Sequence, residues 1–286
     1  GSSLLRSIAD KKISKKIFIY EKSKSNVSKI KKLKLPCEVT NDFKKVIPNL
    51  DLIIFCTPLG EYKKIILRIN KYLVPKTIIT DVGSSKEKSI ELIQKELKKG
   101  ISWTSSHPIA GSEVSGPEHG VKDLFLNKWC ILIKEINTNR KHLEMLSKFW
   151  KKVGSRVIIM DSKKHDKIFS MTSHLPHLIA YNLIKTATDF EKQQKYELIK
   201  FSAGGLRDFS RIAASNEIMW RDVFFDNQKN ILSVIDLFIK NLRSFKKDIQ
   251  FKNNKSIIKK LVDTKKVRKK IITLKQDINK PDFGRN

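Results

Sequence analysis

The sequence has 286 residues, and its 59 basic and 29 acidic side chains give a formal net charge of +30 at pH 7. This length allows one large domain or two domains of ordinary size. With 40% hydrophobic residues, 11 Gly and 8 Pro, the composition excludes a disordered or collagen-like chain and predicts a globular protein with a buried core.

No apolar run approaches the roughly 18 residues of a membrane-spanning helix, and the first residues lack the layout of a secretory signal. We therefore expect a cytoplasmic protein with no membrane partner. The three cysteines, Cys37, Cys56 and Cys130, are odd in number and form no C-x-x-C pair. They predict reduced thiols rather than a disulfide framework or a cysteine-rich zinc site.

The positive charge is carried almost entirely by lysine, with 49 Lys against 10 Arg. Phosphate clamps and groove readers favour the bidentate guanidinium of Arg, and these lysines lack the interleaved aromatic residues of a single-strand platform. We expect a solvated lysine-rich surface and no specific nucleic-acid partner. A nucleic-acid module stays as an alternative, and it would bind any duplex with a steep salt dependence.

Four long windows contain no lysine and hold four of the six histidines: 46–62, 100–121, 168–184 and 201–228. If lysine occupies surface positions that tolerate bulk and charge, these windows mark positions that do not. The last three are rich in Gly, Ser, His, Arg and Trp rather than in unbroken aliphatic runs. Their composition indicates a functional site.

The first half of the chain alternates predicted strands and helices. Short apolar runs predict strands at 16–21, 50–56, 77–80, 102–106, 129–134 and 156–160. Helical spacing predicts helices at 61–72 and 86–98. The alternation predicts a doubly wound, Rossmann-type α/β domain whose parallel sheet is covered by helices on both faces.

The pattern changes near Ser162, and from there only helical periods follow, at 163–188, 190–203, 215–247 and 254–275. We therefore predict two domains. Residues 1–160 form the dinucleotide-binding domain, and residues 161–286 form an all-helical domain.

The start of the chain resembles the end of a dinucleotide-binding turn. Such a unit has a G-x-G-x-x-G turn, a helix whose N-terminus faces the pyrophosphate, and an acid about 20 residues later for the ribose. Gly1 fits the last glycine and Glu21 fits the acid; the first strand and the first two glycines of the motif are absent from the sequence. The alternatives are that Gly1 belongs to a cloning remnant and that Glu21 merely ends a strand.

A carboxylate at position 21 accepts the 2′-OH of NAD and repels the 2′-phosphate of NADP. Lys22 and Lys24 weaken this preference, so we expect NAD and keep NADP as possible. Thr57 and Pro58 follow the predicted strand 50–56 at its carboxyl end, where ligands bind in such sheets, and we predict that they contact the cofactor. No H-E-x-x-H or comparable ligand set is present, so we predict no metal site.

Four blocks carry a resemblance to a known family. They are Thr80-Asp81-Val82-Gly83-Ser84-Ser85-Lys86, the block from Ser106-His107-Pro108 to Gly116, Ser173-His174-Leu175-Pro176-His177, and Ala203-Gly204-Gly205-Leu206-Arg207-Asp208-Phe209-Ser210-Arg211 with Met219-Trp220-Arg221-Asp222. In this order the chain resembles, nearly end to end, the prephenate/arogenate dehydrogenase family of tyrosine biosynthesis.

This resemblance implies a Rossmann domain followed by a helical dimerisation domain, and hence a homodimer. It also implies NAD(P)-dependent oxidative decarboxylation of prephenate to 4-hydroxyphenylpyruvate and CO2. One alternative is an arogenate dehydrogenase that produces tyrosine, or another Rossmann-plus-helical dehydrogenase acting on a hydroxy acid. The other is a non-catalytic dimeric Rossmann-type protein, because only the end of the phosphate turn is visible in the sequence.

The resemblance also implies two catalytic residues. His107 matches the family's catalytic histidine, and an imidazole with an unperturbed pKa of about 6.5 can accept the ring hydroxyl proton near pH 7. Ser84 matches the family's serine beside the nicotinamide and the ring hydroxyl. The structural alternative is that Ser84 or Ser85 caps the predicted helix 86–98.

The substrate contacts follow from the same resemblance. Arg211 matches the family's substrate-binding arginine, whose guanidinium offers two parallel hydrogen bonds to a carboxylate. Ser173 and His177, four residues apart on one helical face, match residues that line the family's substrate pocket, and Gly205 belongs to the matched glycine pair. Glu113 is expected to gate or polarise the mouth of the pocket, with a solvated loop as the alternative.

Several neighbouring residues are better explained by structural roles. Arg207 and Arg221 have the alternative of pairing with Asp208 or Asp222. His174 is interpreted as structural, and Trp220 as a core or dimer contact rather than a wall of the substrate pocket.

Overall fold

The computed structural model describes residues 1–111, 114–195 and 197–274. The chain forms two compact units, Gly1–Ile231 and Leu232–Asn286. The predicted boundary near residue 160 falls inside the first unit and stays a prediction of domain organisation. No helix in the described part of the chain is long and apolar enough to cross a lipid bilayer.

The described residues form seven strands, all in the first unit. They are β1 (Phe18–Ile19), β2 (Glu38–Val39), β3 (Leu52–Phe55), β4 (Ile78–Asp81), β5 (Ser106–Pro108), β6 (Trp129–Ile133) and β7 (Arg156–Met160). The helices before and between them are α1 (Ser2–Asp10), α2 (Lys24–Lys32), α3 (Phe43–Val46), α4 (Tyr62–Ile69), α5 (Glu87–Glu96) and α6 (Arg140–Val153). The predicted α/β alternation is therefore present.

Only helices follow β7 in the described residues. They are α7 (Ser162–Phe169), α8 (Leu175–Gln194), α9 (Gly204–Ile212), α10 (Glu217–Asp226), α11 (Gln228–Gln250) and α12 (Asn254–Thr273). A π-helical turn, Ser170–His174, separates α7 from α8. In the second unit, Lys260 on α12 donates to Asp248 on α11 over 2.6 Å.

Strand pairing is mostly parallel, as predicted. β1 pairs with β2, β3 with β4, and β6 with β7 in parallel, whereas β5 pairs with β6 antiparallel. The predicted strand at 102–106 is displaced, because Trp103 forms only a single bridge with Ile79 and the paired strand begins at Ser106. The described part of the connection from β5 to β6 forms no α-helix, which fits antiparallel neighbours that need no crossover helix.

Alternation along the central strands divides the core between the two faces of the sheet. Ile79 on β4 and Ile131 on β6 pack with Tyr62 in one hydrophobic cluster. Their neighbours, Ile78 and Leu132, pack in a second cluster with α1 and α6. Both faces are thus covered, which explains the near-continuous apolar strands.

Two predicted helices are interrupted. The predicted helix 163–188 breaks at the π-helical turn. Pro176 lies in the first turn of α8, where its missing N–H costs nothing. The predicted helix 215–247 breaks at Asn227, whose side-chain amide hydrogen-bonds to Asp166 on α7 and to His174 in the π-helical turn. The predicted helix 190–203 is wrong, since α8 ends at Gln194 and α9 starts at the glycine pair.

Candidate active site

A buried ion pair joins β4, α5 and β5. Asp81 ends β4, and its carboxylate accepts from Lys86 Nζ over 2.5 Å, Gly83 N over 2.9 Å and the Tyr62 hydroxyl over 3.1 Å. Lys86 is also fully buried, and its Nζ donates to Ser106 O over 2.8 Å. A buried pair needs such additional hydrogen bonds to offset the cost of desolvation. The network therefore fixes the backbone next to His107.

His107 is the middle residue of β5 and is only 7% exposed. Its Nδ1 lies 2.8 Å from Nε2 of His165 on α7, and its ring packs edge-on against Phe169. Burial, followed by the charges of His165 and Lys86, holds the pKa of His107 well below its ordinary value. The imidazole is therefore neutral at pH 7, as a general base must be. Both of these contacts of the ring are with α7.

His165 is held in turn by its neighbour. Its Nδ1 lies 2.7 Å from Asp166 Oδ1, and both side chains are buried. The Asp166 carboxylate also accepts from the backbone N–H groups of Lys86 and Glu87, each over 2.9 Å. Asp166 thus connects the ring of His165 to the start of α5.

The structural alternative for Ser84 or Ser85, a cap on this helix, is not observed. The residue that precedes α5 is Lys86, and it makes no side-chain capping bond. Asp166 supplies the acceptor instead, so the helix is capped by a residue distant in sequence. The Ser85 hydroxyl donates to the Asp226 carboxylate.

The Ser84 backbone is held by a second buried histidine. His174 Nε2 lies 3.2 Å from Ser84 O, and His174 Nδ1 lies 3.1 Å from the Asn227 side-chain amide, which also donates to Asp166 O over 2.8 Å. Burial lowers the pKa of His174 to about 4, so its ring is neutral. These contacts agree with the structural interpretation of His174.

The two predicted pocket residues of the next block lie together. His177 Nδ1 is 3.0 Å from Ser173 O, one helical turn away. The His177 ring stacks on Trp220 at 3.7 Å between centroids. Trp220 is 5% exposed and also packs near Phe224, which agrees with its interpretation as a core residue.

Arg211 and Gly205 lie on α9, and both are exposed. Among the described residues, a Cβ added at Gly205 would meet no atom within 4 Å outside its own stretch of α9, so packing against them does not require glycine there. The alternative for Arg221 is observed: it pairs with Asp222 over 2.6 Å. Asp222 also accepts from Gly60 N over 2.9 Å, which ties α10 to the loop after β3.

Three of the four predicted cofactor residues, Glu21, Thr57 and Pro58, follow the carboxyl ends of strands. Gly1 precedes α1, and a Cβ there would lie 3.4 Å from Cys56 Cβ, next to Thr57. Glu21 follows β1, and its Oε1 accepts from Ser23 N over 2.8 Å. Pro58 begins the 3-10 turn Leu59–Glu61. The structure thus brings Gly1 close to the Thr57 segment. Glu113 lies outside the described residues.

Sequence reasoning did not single out Asp81, Lys86, His165 or Asp166 as parts of the site. His165 and Asp166 stand in a lysine-rich segment that looks like exposed surface. One signal was present, because the buried residues of α7 recur at helical spacing: Ser162, His165, Asp166 and Phe169.

Comparisons with known proteins cover both parts of the chain. The family model described as prephenate dehydrogenase, nucleotide-binding domain, matches residues 5–159, and that described as prephenate dehydrogenase, dimerization domain, matches residues 161–263. The cyclohexadienyl dehydrogenase of Zymomonas mobilis is 31% identical over 91% of this chain and 88% of its own. The prephenate dehydrogenase of Bacillus subtilis is 34% identical over 58% of this chain and 44% of its own.

A solved structure is also similar throughout. It is the crystal structure of prephenate dehydrogenase from Aquifex aeolicus in complex with hydroxyphenyl propionate and NAD+. The two share 31% sequence identity with a TM-score of 0.87, and the match covers 94% of each chain.

Proposed function

Because the chain belongs to the prephenate dehydrogenase family, we propose that it catalyses the NAD-dependent oxidative decarboxylation of prephenate to 4-hydroxyphenylpyruvate and CO2 in tyrosine biosynthesis. The observation that supports this most directly is the buried, neutral imidazole of His107. It stands in the His-Pro-Ile-Ala-Gly block that the family resemblance assigns to catalysis.

The proposed chemistry needs a base and a hydride acceptor. Bound NAD supplies the acceptor for the hydride that leaves the hydroxyl-bearing ring carbon. His107 takes the proton of that hydroxyl as the hydride leaves. The electron pair released when the ring carboxylate departs as CO2 makes the ring aromatic and leaves its oxygen as a phenolate, and the proton held by His107 returns to that oxygen to give the phenol of the product. A general base of this kind contributes roughly 10² to 10⁴ in rate.

The other roles are positional. Ser84 orients the ring hydroxyl toward His107, and the bond from His174 to Ser84 O supports its loop. Arg211 binds a substrate carboxylate, with Ser173 and His177 lining the pocket. Gly205 keeps the space in front of α9 open for the substrate, because a Cβ at this position would meet none of the described residues outside its own stretch of helix. We also assign Glu113 to the mouth of the pocket, from the family resemblance alone.

The cofactor residues fit NAD by their chemistry. Thr57 Oγ1 is buried and has no hydrogen-bond partner among the described residues, so it has the capacity to bond to a bound dinucleotide. α1 begins at Ser2, and Gly1 before it supplies no side-chain cap, as suits a pyrophosphate at a helix N-terminus. Lys22 pairs with Glu61 over 3.2 Å, which leaves Glu21 less neutralised by its neighbour and favours NAD over NADP.

We further propose that the protein is a cytoplasmic homodimer. The dimerisation-domain match over 161–263 supports the homodimer. The free thiols of Cys37, Cys56 and Cys130 fit a reducing compartment.

The test is the formation of reduced nicotinamide by the purified protein from prephenate, with arogenate assayed in parallel. We expect turnover of prephenate with release of one CO2 per NAD reduced. Faster turnover of arogenate would change the substrate and keep the reaction, whereas inactivity on both substrates with normal NAD binding would refute the proposal.

A further inference from the structure

We infer that His165 and Asp166 are positioning residues that fix the tautomer of His107, so that its Nε2 is the atom that accepts the proton. The inference rests on the proposed function, because it takes His107 as the base. It adds two residues that contact neither substrate nor cofactor.

The first step concerns Asp166. As a carboxylate it can only accept hydrogen bonds. Two of its donors are the backbone N–H groups of Lys86 and Glu87, which are fixed in direction. The third contact, 2.7 Å to His165 Nδ1, therefore requires that Nδ1 carry the hydrogen.

The second step concerns which ring nitrogen of His107 carries the hydrogen. Burial lowers the pKa of His165, so the ring is neutral and holds a single hydrogen, which is on Nδ1. Its Nε2 is then an acceptor and must receive the hydrogen of His107 Nδ1 across 2.8 Å. A neutral His107 consequently has its lone pair on Nε2.

The surrounding charges leave this order intact. Lys86 and Asp81 form their own ion pair beside the chain of rings, and His174 bonds to Ser84 and Asn227 instead. Phe169, which packs against both rings, has no hydrogen-bonding group. Asp166 is thus the group that sets the direction of the hydrogen bonds.

Asp166→Asn reverses that direction. The amide oxygen is needed by the two backbone N–H groups of α5, so the amide nitrogen faces His165 and donates to Nδ1. His165 then donates from Nε2 to His107 Nδ1, and the His107 hydrogen moves to Nε2. We expect kcat to fall by about 10² to 10⁴, with the KM for prephenate and the Kd for NAD within about threefold of wild type, because neither ligand is contacted.

Asp161→Asn is the matched control. Asp161 caps α7 through a bond to Lys164 N over 2.8 Å, and Asn caps equally well, so kcat should be unchanged. The tautomer is read directly from ¹⁵N shifts of labelled histidine in the purified protein. We expect His107 to carry its hydrogen on Nδ1 in wild type and on Nε2 in Asp166→Asn; an Nε2–H tautomer in wild type would overturn the inference.

A pair of substitutions at His165 covers the case in which Asp166→Asn does not fold. Gln can donate to Asp166 and accept from His107, so His165→Gln keeps the polarity, whereas His165→Leu removes it. We expect His165→Gln to retain kcat within about tenfold of wild type and His165→Leu to lose at least about 10². Equal losses in the two variants would overturn the inference.

These outcomes separate the inference from the function on which it rests. If His107→Asn is inactive and a folded Asp166→Asn turns over at the wild-type rate, the positioning role is wrong and His107 remains the base. If His107→Asn is fully active, the proposed base is itself wrong.

Discussion

His107 has an uncharged ring because burial in the core desolvates it and lowers its pKa. The nearest charges, on Lys86 and on any protonated His165, also disfavour a cation. A strand residue between two bulky aromatic neighbours would ordinarily be a packing histidine. At this position, burial instead prepares the state that a proton acceptor needs.

His107→Asn should therefore abolish most turnover without disturbing NAD. Asn has no basic nitrogen, and we expect kcat to fall by about 10² to 10⁴ while the Kd for NAD stays within twofold to threefold. Steady-state kinetics and NAD titration measure the two quantities. His142→Asn is the control, because His142 bonds to Ser102 on the α6 side of the sheet; normal turnover in the His107 variant would contradict the assignment.

Arg211→Gln should act on substrate binding. A hydrogen bond to a charged group contributes about 1.5 to 3 kcal/mol, which corresponds to a KM for prephenate roughly 10 to 100 times higher. Arg140→Gln is the control, since Arg140 pairs only with exposed Glu144 on α6 among the bonds described. An unchanged KM in the Arg211 variant would remove Arg211 from the site.

The lysine-free windows predicted part of the site and missed the residues that lie buried beside lysines or are lysines themselves. The window 100–121 contains His107, and the window 168–184 contains His174 and His177. Lys86, however, is fully buried against Asp81, and His165 is buried in a segment with lysines on both sides. A charged side chain is tolerated in the protein interior where a specific partner is present. Sequence spacing does not reveal partners that are distant along the chain.

The π-helical turn Ser170–His174 places His174 between the loop after β4 and the start of α11. Its pKa of about 4 is below the unfolded value of about 6.5, so the unfolded chain binds a proton that the folded chain does not between these values. Stability from this group is therefore present above pH 6.5 and is lost as the pH falls toward 4.

We expect wild type to lose about 2 kcal/mol of unfolding free energy through His174 between pH 7 and pH 5. His174→Gln, which can still donate to Ser84 and accept from Asn227, should remove that share of the loss. Chemical denaturation at the two pH values measures it. A pH dependence identical in the variant and wild type would show that His174 does not supply it.

Local pattern predicted the elements better than their ends. The strands β3, β6 and β7 lie where continuous apolar runs predicted them. Burial on both faces accounts for the run in β6, where residues 130–133 are buried, whereas Ile158 and Ile159 of β7 are exposed. β2, which has two residues, left none. The helix breaks at the π-helical turn and at Asn227 were not predicted either. They depend on side-chain hydrogen bonds, from His174 to the β4–α5 loop and from Asn227 to α7. Tertiary contacts of this kind are not encoded in local spacing.

At the scale of the whole molecule, α11 exposes apolar side chains that suit a partner subunit. They are Leu232, Leu237, Ile239, Leu242 and Ile249. We expect Leu242→Asp to convert a dimer of twice 33.1 kDa into a monomer in sedimentation velocity, because a buried charge is costly. Ile136→Asp, at a side chain that is fully exposed, is the control; an unaltered dimer would place the interface elsewhere.

The carboxylate of Asp166 has a consequence for engineering. It lies after β7, yet it caps α5 and orders the rings behind β5. A chimera joined at Met160 would keep His107 and the backbone N–H groups of Lys86 and Glu87 from one parent. It would take their partners on α7, His165 and Asp166, from the other parent. Swaps of the nucleotide-binding segment between relatives should therefore be joined beyond α7, so that His107 and the α7 residues that orient it come from one parent.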